Sequence, residues 1–244
     1  MRASWAPVFA VGLGLCVVES AGALPTFFFG ENLAPGGTVS GAPLAARTAF
    51  LSNLVGVGTE NFESFAQGTN LPLGIQFPGS SGNITANLTG GGGGSLTEIR
   101  TSPGLGRFAT SGTHYLNIAL GDGFTLDFSA PISAFGFYGT DIGDFSGQLL
   151  LHLENGSTLD VIVPHTVNAP DGSLLFWGFI DSMNSYTHID FTNTSGSDSF
   201  GYDDMTIGTQ EQIVPTVPEP GTIALLGLGL GVGAFKRLRR WRAH

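Results

Sequence analysis

The sequence predicts an all-β protein: an antiparallel β-sandwich, jelly-roll-like, with an N-terminal signal peptide and one C-terminal transmembrane helix. Charged residues make up only 11% of the 244 residues, whereas glycine occurs 38 times. Few charges together with many Gly, Thr, Ser, Asn and Phe residues favour short strands and tight turns over long helices. About ten short β-type segments separated by turn residues indicate a sandwich.

Residues 1–23 have the organisation of a secretory signal peptide. Arg2 supplies an early positive charge, residues 5–18 form an apolar run, and Ala21 and Ala23 form an A-x-A cleavage site. The run is short for a membrane anchor and is not followed by a stop-transfer flank. We therefore expect cleavage after Ala23 and export of the remaining chain.

Residues 24–60 contain Pro, Gly and Ala with little periodicity, and we interpret them as an N-terminal extension with a short helical spacing at 44–55. The sandwich domain is predicted at 61–207, and residues 208–216 are interpreted as a polar stalk. The expected strands are residues 73–77, 83–88, 114–120, 124–128, 135–142, 149–153, 159–163, 174–180, 187–192 and 201–207.

The clearest hairpin signal lies in the segment LLLHLENGSTLDVIV, residues 149–163. Apolar residues alternate on both sides of Asn155-Gly156, and this dipeptide is typical of a two-residue type I′ turn. The segment therefore predicts two antiparallel strands joined by that turn.

The chain ends in VPEPGTIALLGLGLGVGAFKRLRRWRAH, residues 217–244. A helix from Pro220 to Leu238 would be about 28 Å long, close to the roughly 30 Å of a hydrocarbon core. A basic cluster would hold its far end on the cytosolic side. A soluble core helix would leave that cluster unexplained. The cluster consists of Lys236, Arg237, Arg239, Arg240 and Arg242.

The order of these three parts resembles a PEP-CTERM sorting signal. The resemblance implies export by a Gram-negative bacterium, transient anchoring in the inner membrane, processing by an exosortase-type enzyme, and release to the cell surface or the exopolysaccharide matrix. It also implies that the basic cluster is a stop-transfer signal. The recognition motif would be Val217, Pro218, Glu219 and Pro220. Residues 61–207 resemble the β-sandwich domains often found ahead of such tails, through NFESFAQGT, AFGFYGTDIGDFSGQLLL and SFGYDDMTIG.

Neither a nucleic-acid partner nor an active site is indicated. Between the two terminal signals, 3 basic residues stand against 17 acidic ones, a balance that disfavours nucleic-acid binding. No H-E-x-x-H or G-x-S-x-G motif is present. We therefore predict a non-enzymatic surface or matrix protein, with a carbohydrate-binding module as the alternative and a secreted hydrolase as a third hypothesis. The four histidines of the predicted mature domain are widely spaced in sequence: His114, His152, His165 and His188.

Carboxylates provide the best candidate for a metal site. Glu63 lies in FESF, residues 62–65, which we interpret as a further strand ahead of the ten above, and Asp203 and Asp204 lie in the last strand. A jelly-roll topology would bring the first and last strands together. A structural Ca²⁺ could then neutralise the three carboxylates. In the alternative, Glu63 and Asp203 accept backbone N–H bonds and Asp204 faces water. A second acidic group is interpreted as loop surface, with a metal site as the alternative: Asp122, Asp141 and Asp144.

Aromatic residues offer a possible platform for exopolysaccharide. The strand LLFWGFI, residues 174–180, should turn at least one ring outward unless both of its faces are covered. Core packing is the expected role of most of the rings. The candidates are Phe176, Trp177, Phe179, Tyr138, Tyr186 and Tyr202.

Overall fold

The computed structural model describes residues 24–79, 82–90, 97–101, 104–119, 123–156, 158–194 and 198–215. Within these ranges the chain forms two antiparallel sheets and one α-helix. No helix among the described residues has the length and apolar character that a membrane span requires. The predicted signal peptide and the predicted C-terminal helix lie outside the described residues.

Helix α1 spans Gly41–Ser52 and follows the first strand. In chain order the strands are β1 (Thr26–Asn32), β2 (Gly58–Glu60), β3 (Leu73–Gln76), β4 (Thr85–Gly90), β5 (Glu98–Arg100), β6 (Tyr115–Ile118), β7 (Phe124–Ile132), β8 (Ala134–Thr140), β9 (Leu149–Glu154), β10 (Thr158–Ile162), β11 (Leu174–Ile180), β12 (Tyr186–Asn193) and β13 (Phe200–Gly208).

The strands form a two-sheet sandwich, which confirms the predicted all-β antiparallel architecture. The seven-stranded sheet has the order β1-β11-β8-β13-β6-β5, and β2 also pairs with β13. The six-stranded sheet has the order β10-β9-β12-β7-β4-β3. Each of the ten expected segments overlaps a strand, whereas β1, β2 and β5 were not expected.

The predicted hairpin is present, but its turn differs from the prediction. Leu153 pairs with Leu159 and Leu151 pairs with Val161, as the alternation requires. Thr158 pairs with the last residue of β9, so the connection has three residues rather than the two of a type I′ turn. Gly156 has a φ of 100°, a region that glycine enters at no steric cost.

Residues 24–60 belong to the sandwich and are not an extension. Strand β1 pairs with β11 along its whole length, and α1 packs across the outer face of the same sheet. The Phe50 ring of α1 lies 5.6 Å from the rings of Phe28 and Phe176. Gly30 permits this close approach, because a side chain there would collide with the Ala42 carbonyl. The sandwich therefore begins at Thr26, not at residue 61.

The central strands of the seven-stranded sheet are covered on both faces. The inner face packs against the other sheet, where the Phe137 ring lies 5.4 Å from Phe191 of β12. Within its own sheet, the Phe137 ring lies 6.0 Å from Trp177. The outer face packs against α1. All seven residues of β11 are buried in consequence, as are all seven of β8. Double coverage explains why these strands are apolar at consecutive positions.

Most of the predicted stalk at 208–216 is also part of the body. Gly208 ends β13, and a 3-10 turn follows at Gln210–Gln212. Two backbone hydrogen bonds of 2.8 Å, from Val55 N–H to Gln212 O and from Val214 N–H to Asn53 O, then attach the segment to the end of α1. Tertiary contacts therefore extend to Val214.

The register of the seven-stranded sheet defines two ends of the sandwich. Ile180 pairs with Thr26 and with Ala134, and Ala134 also pairs with Gly208. We call this the terminal end, because Leu24 and Pro215 line one cavity there. The opposite end, where Leu174 pairs with Asn32 and Thr140, is called the acidic end. Seven-residue strands separate the two ends by roughly 20 Å.

Candidate functional site

A cluster of aspartates occupies the acidic end. Asp141 follows β8 and Asp171 lies just before β11, and these strands are antiparallel neighbours whose flanking loops therefore meet. Asp144 lies three residues after Asp141. Each of the three offers an oxygen atom, and these atoms lie within 4.8 Å of one another. Across the described part of the chain, no other group of three or more His, Cys, Asp or Glu residues meets this distance.

Asp141 is held firmly at the base of the cluster. Its side chain is 2% exposed, and its Oδ1 accepts a 2.7 Å hydrogen bond from the Gly172 N–H. Arg107 Nη1 lies 3.7 Å from Asp141 Oδ2 and donates to the Ser199 carbonyl at 3.0 Å. Gly106 packs directly against the carboxylate and leaves no space for a side chain of its own.

The cluster favours protonated carboxyl groups. Burial, followed by the nearby carboxyl groups of Asp198 and Asp141, raises the pKa of Asp144 to about 8. Burial also raises the pKa of Asp141 to about 6, although the Gly172 N–H and Arg107 oppose the shift. Asp144 Oδ1 is buried without a hydrogen-bond partner. Oxygen atoms in this arrangement can share protons or coordinate a hard cation such as Ca²⁺.

A cavity of about 400 Å³ adjoins the cluster at Asp171. Glycine-rich loops form most of its wall, so backbone groups are more accessible there than side chains. The lining residues are Ala34, Pro35, Gly36, Gly37, Gly104, Leu105, Gly106, Phe108, Asp171 and Gly172.

Asp203 is bound by protein donors rather than grouped for a metal. Its Oδ2 accepts hydrogen bonds from the N–H groups of Thr110, at 2.6 Å, and Ser111, at 3.1 Å. Burial, reinforced by the Asp204 charge, raises the pKa of Asp203 to about 7. These contacts fit the alternative in which Asp203 accepts backbone N–H bonds.

Glu63 and Asp204 likewise have separate partners. Glu63 lies in a turn, not a strand, and accepts N–H bonds from Thr113, at 2.7 Å, and His114, at 2.5 Å. These bonds outweigh the effect of burial and lower the pKa of Glu63 to about 2. Asp204 is 5% exposed, binds Ser111 Oγ at 2.6 Å and lies 3.7 Å from Arg47, so it does not face water. The three predicted residues do not form a metal-binding group.

The second acidic group was misinterpreted as loop surface. Asp141 is 1% exposed and Asp144 is partly buried, whereas Asp122 lies outside the described residues. The sequence interpretation missed Asp171 and Asp198. Asp171-Gly172 before a strand is a turn signal, but its position beside Asp141 depends on the pairing of β8 with β11, which are separated in sequence by the β9–β10 hairpin.

Three neighbouring strands, β10, β9 and β12, carry a relay that the sequence did not predict. His152 Nδ1 lies 2.7 Å from Asp160 Oδ1, and His152 Nε2 lies 3.0 Å from Thr192 Oγ1. This acid–imidazole–hydroxyl order is the one that hydrolases use to activate a nucleophile. The three side chains lie on neighbouring strands of the six-stranded sheet, and they line neither of the two cavities at the ends of the sandwich.

The other histidines serve separate contacts. His114 Nδ1 lies 3.1 Å from Glu63, and His188 Nδ1 lies 2.6 Å from Asp127. His165 Nε2 accepts a 3.0 Å bond from the Leu149 N–H, and burial lowers its pKa.

The predicted aromatic platform is part of the core. Trp177 and all four tyrosines of the chain are no more than 3% exposed, and Phe176 and Phe179 are fully buried. Coverage of both sheet faces is the reason. On edge strand β1, by contrast, Phe27 is 47% exposed and Phe29 is 36% exposed.

The residues predicted for cleavage and sorting lie outside the described residues. They are Ala21, Ala23, Val217, Pro218, Glu219, Pro220, Lys236, Arg237, Arg239, Arg240 and Arg242. Residues 216–240 match the family described as the PEP-CTERM protein-sorting motif, which confirms the resemblance seen in the sequence. A search of curated protein sequences gives no match to this chain.

Several solved structures are similar to the sandwich. The K2 cleaved adhesin domain of Lys-gingipain has a TM-score of 0.40 and 12% identity, over 62% of this chain and 98% of that one. The CBM22-1 xylan-binding domain of Paenibacillus barcinonensis Xyn10C has a TM-score of 0.32 and 11% identity, over 63% and 100%. TmCBM61, solved with β-1,4-galactotriose, has a TM-score of 0.31 and 14% identity, over 60% and 92%. These weak similarities assign no ligand to this chain.

Proposed function

We propose that this protein is a non-enzymatic component of the cell surface or the exopolysaccharide matrix, delivered by a removable C-terminal tail. The observation that carries the proposal is the PEP-CTERM sorting motif at residues 216–240, which marks the chain as exported. In this proposal the tail passes through the inner membrane, an exosortase-type enzyme processes it, and the sandwich is the part that remains outside.

The chemistry of the tail suits this role. Pro218 and Pro220 disfavour helix and sheet around Glu219, so we expect an extended motif that can enter an enzyme's cleft. The apolar run behind the motif would partition into the bilayer. The basic cluster at 236–242 would remain on the cytosolic side, since moving arginine through the bilayer is costly.

The folded body does not depend on disulfide bonds for its stability. The single cysteine, Cys16, lies in the predicted leader, so the exported chain would have no disulfide to stabilise it. Stability must come from packing. Two apolar clusters provide it, one between the sheets and one beneath α1.

The motif can be tested by replacing Glu219 with Gln in the native host. Loss of this carboxylate should block processing, so the variant should keep its C-terminal tail and remain in the membrane fraction. Glu211→Gln is the matched control, because Glu211 is an exposed carboxylate eight residues earlier. A mature mass in Glu219→Gln that lacks the tail, as in the control, would refute the role of the motif.

Carbohydrate binding is a second candidate, and the exposed rings of β1 support it. Phe27 and Phe29 project from the same face of an edge strand, and the Phe27 ring lies 5.9 Å from that of Trp177. A glycan array with the mature chain tests this role. Signals that vanish when both phenylalanines are replaced by Ala would support it, whereas signals that persist in the double variant would exclude this platform.

A further inference from the structure

The terminal end of the sandwich contains a cavity whose wall has no charged side chain and is partly apolar. The cavity has a volume of about 510 Å³, and none of the ten residues that line it carries a charge. Two of these are apolar and exposed, Leu24 at 87% and Val214 at 38%.

Two more exposed apolar side chains flank this cavity. Met183 is 58% exposed and follows Ser182, which lines the wall. Val55 is 57% exposed, and its N–H donates to the carbonyl of Gln212, which precedes the lining residue Ile213. Together with Leu24 and Val214 these residues form what we call the apolar rim.

The chain leaves the folded body at the same place. Val214 N–H is fixed to Asn53 O at 2.8 Å, and Pro215 lines the cavity. Four residues, 216–219, then separate the body from Pro220, where the predicted membrane helix begins. Fully extended, four residues span at most about 14 Å. The terminal end therefore cannot lie far from the bilayer while the tail is inserted.

We infer that the apolar rim rests on the lipid bilayer in which the chain's own tail is anchored. This inference depends on the membrane anchoring in the proposed function. Apolar side chains gain free energy on entering the headgroup region, in proportion to the area removed from water. No side chain of the cavity wall is charged, so none would have to lose the hydration of a charge.

The charge distribution favours the same orientation. The aspartate cluster lies at the opposite end of the strands, roughly 20 Å further from the lipid. Asp171 is the exposed member of that cluster, and an anionic bilayer surface repels an exposed carboxylate within about one Debye length, some 8–10 Å at physiological salt. Contact through the apolar rim keeps Asp171 outside that distance. The glycine-lined cavity beside Asp171 then faces the medium.

Quenching by spin-labelled lipids tests the inference on residues 24–244, the chain that remains after cleavage of the predicted signal peptide. This chain has no cysteine, so a single cysteine for a fluorophore is introduced as Met183→Cys at the rim or Leu105→Cys as the control. Leu105 is 81% exposed and lines the cavity at the acidic end. Both variants are inserted into phosphatidylcholine vesicles with or without nitroxide headgroups. We expect fluorescence at position 183 to fall to about half with nitroxide lipid, and fluorescence at 105 to stay unchanged.

Flotation of the vesicles separates two kinds of failure. A chain that does not float with the lipid overturns both the anchoring and the contact of the rim. A chain that floats, but whose labels at 183 and 105 are quenched equally or not at all, overturns the contact alone.

Discussion

Asp144 couples the stability of the sandwich to pH. Burial, with the carboxyl groups of Asp198 and Asp141, raises its pKa to about 8, so the folded chain keeps a proton that the unfolded chain releases near pH 4. The stabilisation that the protonated Asp144 carboxyl group gives the folded chain is complete below the unfolded-state pKa, and it is lost as pH rises towards 8. Asp141 and Asp203, with pKa values raised to about 6 and about 7, act in the same direction.

We therefore expect the melting temperature, measured with a metal chelator, to be lower at pH 8 than at pH 5. Asp144→Asn should reduce this difference, because the amide is neutral at both pH values. The exposed Glu154→Gln serves as control and should retain the wild-type difference. If the melting temperature of Asp144→Asn kept the full wild-type pH dependence, Asp144 would not be the source of that dependence.

Gly106 allows the aspartate cluster to form. Its φ is +90°, and a Cβ there would overlap the Asp141 carboxylate and the Gly172 N–H. Gly106→Ala should therefore lower the free energy of unfolding by about 2 kcal/mol or more. Gly104→Ala is the matched control, since no atom lies within 4 Å of a Cβ at that position. Equal stabilities of the two variants in urea unfolding would show that the close approach is not needed.

At the scale of elements, α1 is a structural layer of the sandwich. Phe50 is fully buried between Phe28 and Phe176. Phe50→Ala should cost about 3–5 kcal/mol of unfolding free energy, because a cavity would remain beneath the helix. Leu44→Ala, on the same helix but 45% exposed, should cost less than about 1 kcal/mol. Urea denaturation measures both, and a small loss for Phe50→Ala would mean that residues 24–60 are dispensable after all.

The same elements show how far the sequence could predict the fold. Strands with one solvated face, such as β7 and β9, alternate in burial and were recognisable from local pattern. Strand β1 was missed because TFFF has no alternation and its role depends on its pairing with β11. The sequence grouped Asp141 with Asp144, but Asp171 was missed for the same reason. The cluster is assembled by loops flanking β8 and β11, and their adjacency is a tertiary property.

At the scale of the whole molecule, the two ends of the sandwich differ in chemistry. The sorting motif lies at residues 216–240, directly after the terminal end. The aspartate cluster lies at the other end of the strands. In the proposed function, the terminal end would contact the bilayer during transit and the acidic end would face the medium.

The most direct test of this account is the intact mass of the mature protein from its native host, together with its cellular fraction. We expect a mass that lacks residues 1–23 and the apolar and basic segments after the Pro-Glu-Pro motif, in the surface or matrix fraction. A full-length chain of 244 residues in the cytosolic fraction would contradict the export and processing on which the proposed function depends.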